Sequence, residues 1–260
     1  MERCESAART GDIVVGNYRK LIDGAKYQTT PHGLRSRRPG GPGFRFRGFF
    51  RLGISPMCGA SSTGGRFAAG SGRRRLWMQR FIYAEDRLFN LECWLNRPVY
   101  GFVDESVYLY RCNEASVSHT YKENFAEIWM GVADTFYKSA KRYGRQDDCF
   151  DVVAFTLFFS VFFSSKQEYV CRGGKLKLIR EELRRYTESP HAKPAFHALA
   201  RGRYLRDIHS SLWKLMIRCF SVAYDLRWYG PLALGISLLI RLNIDKRLSS
   251  TEKRSEQDAN

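Results

Sequence analysis

A long stretch without acidic residues is the feature that most constrains how this chain can fold. Residues 35–80 are rich in glycine, arginine and serine, and no helical or strand period persists through them except near residues 53–60. Between Asp23 and Glu85 the sequence has twelve lysines and arginines and not one Asp or Glu. Because such a stretch contributes little to a hydrophobic core, we expect the residues on either side of it to carry the ordered fold.

The same stretch supplies most of the net charge of +17. One interpretation is a nucleic-acid binder whose arginines neutralise phosphates. The other is that shifts of reading frame produced residues 35–80, so that the charge excess is an accident. We favour the second, because the pattern of an ordered fold resumes at residues 53 and 81.

The cysteines and histidines predict neither a disulfide framework nor a metal site. The seven cysteines are odd in number and never spaced C-x-x-C, so we expect reduced thiols. His191 and His197 have no cysteine or carboxylate pair beside them, and we interpret both as surface residues. The first ten residues are polar and contain no apolar signal-peptide core. These features favour a cytoplasmic protein.

Strands and one helix are predicted on both sides of the acid-free stretch. The β-branched run at residues 12–19 predicts a buried strand. Residues 85–97 predict a helix with Leu88, Leu91 and Leu95 on one face. After Pro98, the runs at 99–103 and 107–111 predict two strands of a hairpin, with a turn at 104–106.

The rest of the chain is predicted to be helical. Apolar residues recur every three or four positions over 124–143, and Gly144 suits the end of that helix. Residues 152–163 are apolar enough to require burial in protein or against lipid. Three further helices are expected at 175–186, 204–228 and 232–244, the last two separated by Gly230 and Pro231.

Three short motifs occur in an order that points to one family. They are I-Y-A-E-D-R-L-F-N-L at 82–91, Y-L-Y-R at 108–111 and S-V-S at 116–118. Together they resemble family 2 glycosyltransferases, which carry an E-D pair, a helix, a hairpin ending in a Y-x-Y-R-like strand and a serine-rich loop. Residues 53–60 and the strand at 12–19 resemble the family segments further upstream.

The resemblance implies an α/β fold, namely an incomplete GT-A (Rossmann-like) glycosyltransferase half followed by an α-helical C-terminal region. The expected domains are a partial glycosyltransferase domain at 1–143, a helical region at 144–248 and a disordered tail at 249–260. The V-S-V-I-I-P-x-Y-N-like strand and the D-x-D-like motif that hold the donor in the family do not occur. We therefore expect an acceptor-side portion that is inactive by itself.

The resemblance also implies roles for particular side chains. Asp86, with Glu85 beside it, would act as the general base that takes the proton of the acceptor hydroxyl. From spacing alone, both acids would be first-turn residues that favour a helix N-terminus. Residues expected to contact the acceptor or the diphosphate are Arg111, Tyr110, Ser116, Ser118 and Met57, for which strand-end, turn or packing roles are the simpler alternatives.

The implied partners are a nucleotide-sugar donor and a glycan or lipid-linked acceptor. A divalent metal, manganese or magnesium, is expected for the complete family member, although its ligand motif does not occur in this chain. The basic helices predict a peripheral contact with the inner face of the membrane. The alternative functions are a non-catalytic membrane-surface interaction protein and, less favoured, a nucleic-acid binder.

Overall fold

The computed structural model divides the chain into two compact units, residues 1–120 and 121–260. The predicted stretch at 35–80 and the predicted tail at 249–260 lie outside the residues that the structure describes. The described residues are 13–22, 26–30, 100–111, 121–206, 208 and 210–242, with the single helical positions Leu88, Leu91, Glu92 and Leu95.

Three strands are described in the first unit, and they form one sheet. Strand β1 covers Ile13–Ile22, β2 covers Lys26–Thr30 and β3 covers Tyr100–Arg111. The strand order is β2-β1-β3, with β1 antiparallel to β2 and parallel to β3. The strand predicted at 12–19 is thus confirmed, and it occupies the middle of the described sheet.

The hairpin predicted at 99–111 is wrong, because both runs belong to the single strand β3. The register against β1 shifts around Asn17, where Val15 is opposite Phe102 but Tyr18 is opposite Tyr108. The extra residues of β3 in this interval are accommodated as an irregularity of the strand, as in a β-bulge. A polar interruption in a β-rich run therefore marks a bulge here rather than a turn.

The predicted fold class, an incomplete Rossmann-like α/β half, is wrong. The described residues are mainly helical, and their only sheet is the small mixed one of β1 to β3. The physical reason is visible in the second unit, where the helices bury their apolar faces against one another. Helix-on-helix packing supplies its own core and needs no sheet beneath it.

Six α-helices make up the described part of the second unit. Helix α1, Phe125–Arg142, lies within residues that the sequence grouped with the first domain, but it packs against the helix that follows it. The other helices are α2 Phe150–Cys171, α3 Leu176–Arg185, α4 Ala192–Ala200, α5 Ser211–Asp225 and α6 Tyr229–Arg241, with a 3-10 turn at Tyr186–Glu188 after α3.

The end of α1 confirms the expected role of Gly144. Its φ is +65°, in the left-handed region that glycine adopts without the strain of a Cβ. The N–H of Gly144 donates to the Lys141 carbonyl at 3.0 Å, and that of Arg145 donates to the Ala140 carbonyl at 2.9 Å. This pair of bonds satisfies carbonyls that the helix leaves free and stops α1.

Helix α2 is the centre of the second unit. It packs against α1, α3, α4 and α6, and most of its apolar side chains between Val152 and Val161 are buried. The apolar run at 152–163 is therefore buried in protein, although Phe163 at its end is 52% exposed. Among the described residues, no helix combines the length and the apolar character that crossing a membrane requires.

The last two helices begin and end elsewhere than predicted. Helix α5 begins only after Ser210, whose hydroxyl oxygen accepts the N–H of Trp213 at 3.3 Å. The chain breaks at Arg227, with φ +59°, rather than at Pro231. Pro231 lies inside the first turn of α6, where a backbone N–H would have no partner within the helix, so its absence costs nothing.

Candidate functional site

Two of the predicted site residues belong to β3. Tyr110 is opposite Lys20 in the parallel register, and Arg111, the last residue of β3, is opposite Leu21. Both therefore lie at the carboxyl end of a parallel strand pair. Loops leaving that end of a sheet often carry binding residues in α/β proteins.

The remaining predicted site residues lie outside the described residues. Near them, Leu88, Leu91 and Leu95 are helical and almost fully buried, so the helix predicted from their spacing is confirmed at these positions. The residues whose predicted roles stay predictions are Met57, Glu85, Asp86, Ser116 and Ser118.

In the second unit, side chains of α2 and α3 hold the residues that precede α1. Tyr121 donates its hydroxyl to Glu168 Oε1 at 2.9 Å. The Gln167 amide makes two bonds to the backbone of Lys122, accepting its N–H at 3.1 Å and donating to its carbonyl at 2.7 Å. Arg185 Nη1 donates to the Glu123 carbonyl at 3.4 Å. We call this set the anchor of residues 121–123.

Glu182 lies beside the anchor and is 5% exposed. Burial raises the pKa of its carboxyl, and the guanidinium of Arg185, 3.3 Å away, opposes that shift. Glu168 adds a like charge that raises the pKa of Glu182 further, while the nearby Ser164 side chain lowers it. The result is a buried acid that holds its proton more tightly than a carboxyl in water.

Tyr186, the residue that caps the end of α3, lies in the same region. Its side chain is fully buried, and its hydroxyl makes no hydrogen bond of normal geometry in the structure. The nearby hydroxyls of Ser160 and Ser164 donate instead to carbonyls of their own helix, at 3.0 and 3.1 Å. Burial raises the pKa of Tyr186 far above its usual range, so this phenol stays neutral and is no acid or base at ordinary pH.

Two histidines pair with aspartates. His191 Nε2 is 3.3 Å from Asp134 Oδ1, and its ring packs on Tyr137 with centroids 4.4 Å apart. Its side chain is only 12% exposed, so the prediction that His191 lies on the surface is wrong. His197 Nδ1 is 2.8 Å from Asp225 Oδ2, and its exposure confirms the surface prediction.

The surroundings of Asp134 favour the ionised form of its carboxyl. Burial raises the pKa of its carboxyl, but hydrogen bonds from Lys138 and His191 outweigh burial and lower the pKa overall. Its ionised form therefore stabilises the packing of α1 against the start of α4. The first pair links α1 to the residue that precedes α4, and the second links α4 to α5, so a structural role accounts for both contacts.

Within the described ranges, no group of three or more His, Cys, Asp or Glu side chains is arranged to hold a metal ion. The manganese or magnesium expected for the complete family member stays a prediction. Of the described cysteines, Cys149 is buried, whereas Cys171 and Cys219 are exposed.

Sequence reasoning missed the buried acids. Glu182 sits between Ile179 and Leu183, which are both fully buried, so an acid on the apolar face of α3 was the available signal. Gln167 and Tyr121 gave none, because Gln167 bonds Lys122 and Tyr121 bonds Glu168, each more than forty positions away.

Searches with the whole chain match no family model, no curated protein and no solved structure.

Proposed function

We propose that this chain takes part in sugar transfer from a nucleotide-sugar donor to a glycan or lipid-linked acceptor, as an acceptor-side component. The observation that carries the proposal is the order of its motifs along the chain. An E-D pair at 85–86 comes directly before the buried helical positions Leu88 and Leu91, and Y-L-Y-R ends β3.

The proposed chemistry is a single displacement with inversion at the anomeric carbon. The acceptor oxygen attacks that carbon, its proton passes to the Asp86 carboxylate, and the bond to the nucleotide diphosphate breaks. Arg111 would contact the leaving diphosphate or the acceptor through its planar guanidinium, which pairs well with such oxygens. The backbone register supports this role, because it puts Arg111 at the carboxyl end of the parallel pair of β1 and β3.

Acceptor binding can be tested on the chain as it stands, with an array of immobilised glycans. We expect binding to a restricted set of glycans, weakened by about tenfold in Arg111→Ala because a charge-assisted hydrogen bond contributes roughly 1.5–3 kcal/mol. Lys193→Ala is the matched control, since it removes an exposed cation from the second unit. Binding that is absent, or equally weakened by both substitutions, contradicts the proposal.

Catalysis requires a donor-binding portion to be supplied, for example by fusion. In such a protein, Asp86→Asn should lower turnover about 10²–10⁴-fold and leave the donor Kd unchanged, because a general base acts in the transition state. The measurement is transfer of a labelled sugar together with donor calorimetry. Near-normal turnover in Asp86→Asn would show that Asp86 is not the base.

A further inference from the structure

Helix α5 carries a second apolar face that the fold leaves in solvent. We name it the outer face, and Leu212, Leu215, Val222 and Leu226 on it are 41–58% exposed. Its members follow each other at intervals of three, four, three and four residues, which keeps them on one side of a helix. They are Leu212, Leu215, Cys219, Val222 and Leu226, the last being the residue that caps α5.

The outer face lies opposite the side by which α5 joins the core. That inner side consists of Ile217, Ser221 and Tyr224, all buried. The Tyr224 ring stacks on Phe196 of α4 at 3.9 Å, and its hydroxyl donates to the Leu183 carbonyl at 2.9 Å. With about 100° per residue, the outer stripe is centred about 180° from these residues. Core packing therefore does not explain the outer face.

Cations lie along one side of this apolar stripe and in the turn before it. Lys214 and Arg218 lie along one side of α5, and the turn before it carries the exposed Arg201, Arg203 and Arg206. The Arg218 side chain also lies over that turn, 3.7 Å from where a Cβ on Gly202 would stand. The only acid within α5 is Asp225, which pairs with His197. Positive charge thus borders an apolar surface, and the one acid of the helix is paired with His197.

An exposed tryptophan follows α5 in the chain. Trp228 is 57% exposed in the short connection to α6, and Leu234 and Leu238 of α6 are about half exposed. Tryptophan favours the boundary between lipid and water, because its ring is apolar and its N–H is polar. An amphipathic helix with such residues and lysine or arginine beside them is typical of binding at a membrane surface.

We propose that α5 docks on an anionic phospholipid surface through its outer face. The leucines and Val222 would enter the headgroup boundary, while Lys214 and the arginines of the preceding turn pair with lipid phosphates. A second copy of the chain is the other candidate for an apolar stripe with this spacing. Charge argues against it, because self-association through α5 would bring the cations of two copies together. This inference does not depend on the sugar-transfer proposal.

The test is co-sedimentation of the intact chain with vesicles of phosphatidylcholine alone or mixed with phosphatidylglycerol. We expect binding to the anionic vesicles, with release at high salt because surface charge is screened. Leu215→Asp should weaken binding about tenfold or more, since burying one leucine is worth roughly that factor. Lys214→Gln and Arg206→Gln should each weaken it about fivefold, as expected for one cation near an anionic surface.

The matched control is Val170→Asp, which adds the same charge at a 62% exposed residue near the end of α2. It should bind anionic vesicles like the wild type, and Leu212→Asp should behave like Leu215→Asp. Circular dichroism checks that each variant is folded. Absence of vesicle binding, or equal losses in Val170→Asp and Leu215→Asp, overturns the proposal. So does a concentration-dependent dimer that Leu215→Asp dissociates while no vesicle binding occurs, which would make the outer face a contact between copies.

Discussion

Removing the anchor of residues 121–123 should destabilise the second unit by a predictable amount. Tyr121→Phe deletes one hydroxyl that donates to a nearly buried carboxylate at 2.9 Å. A hydrogen bond to a charged group contributes roughly 1.5–3 kcal/mol, and the partial exposure of Tyr121 favours the lower end, about 1.5 kcal/mol. Gln167→Ala removes two bonds to the Lys122 backbone, for about 2 kcal/mol in all.

The two substitutions should not be additive, because both release the same short segment. We expect the double variant to lose about 1 kcal/mol less than the sum of the single losses. The assay is urea unfolding of the whole chain followed by far-UV circular dichroism, which reports on the six described helices of the second unit. Tyr169→Phe is the matched control and should change stability by less than about 0.5 kcal/mol. If Tyr121→Phe and Tyr169→Phe unfold alike, the hydrogen bond to Glu168 does not stabilise the fold.

Three further substitutions test the interior of the second unit. Burial raises the pKa of Glu182 above the ordinary 4.5, so ionising this acid costs stability as pH rises through the raised pKa. In urea unfolding at pH 7, the free energy of unfolding of Glu182→Gln should therefore equal or exceed that of the wild type. Any advantage of the variant should disappear below about pH 4. The pKa of Asp134 is lowered from 3.8, so its contribution to stability is present above that value and is lost as pH falls through the lowered pKa. Asp134→Asn should lower the free energy of unfolding by about 1 kcal/mol at pH 7 and by little in strong acid. A loss independent of pH would refute the ionic account. Phe196→Ala should lower stability by about 3–5 kcal/mol, measured by thermal unfolding, because this ring is fully buried against Tyr224; a loss below about 1 kcal/mol would show that the site collapses around the gap.

Local signals predicted the helices well where their ends are encoded locally. Helix α1 was found because its apolar period is regular and Gly144 can adopt a positive φ. The predicted boundary between α5 and α6 is wrong, because Pro231 lies in the first turn of α6 and does not break it. Proline breaks a helix in its interior but is tolerated in the first turn. Which case applies to Pro231 depends on where α6 begins, and it begins just after Arg227, whose φ is positive.

Only those site residues that belong to short sequence motifs could be predicted. The register of β1 and β3 puts Tyr110 and Arg111 at one end of a strand pair, while the role of Asp86 stays a prediction. The buried acids Glu168 and Glu182 were not predicted as a pair, because they meet only when α3 packs on α2. A contact of that kind depends on the packing of two helices, which no short window of sequence contains.

The sequence by itself determined which segments become helical, through the spacing of apolar residues and the glycine that ends α1. Only the tertiary structure decided which apolar faces are covered. The outer face of α5 and its inner side both carry large apolar residues, and they differ in burial because α4, with Phe196, lies on one side only. It also decided that residues 100–111 form one strand beside β1, because strand pairing joins residues more than eighty positions apart. Periodicity is local, whereas burial and pairing are properties of the whole chain.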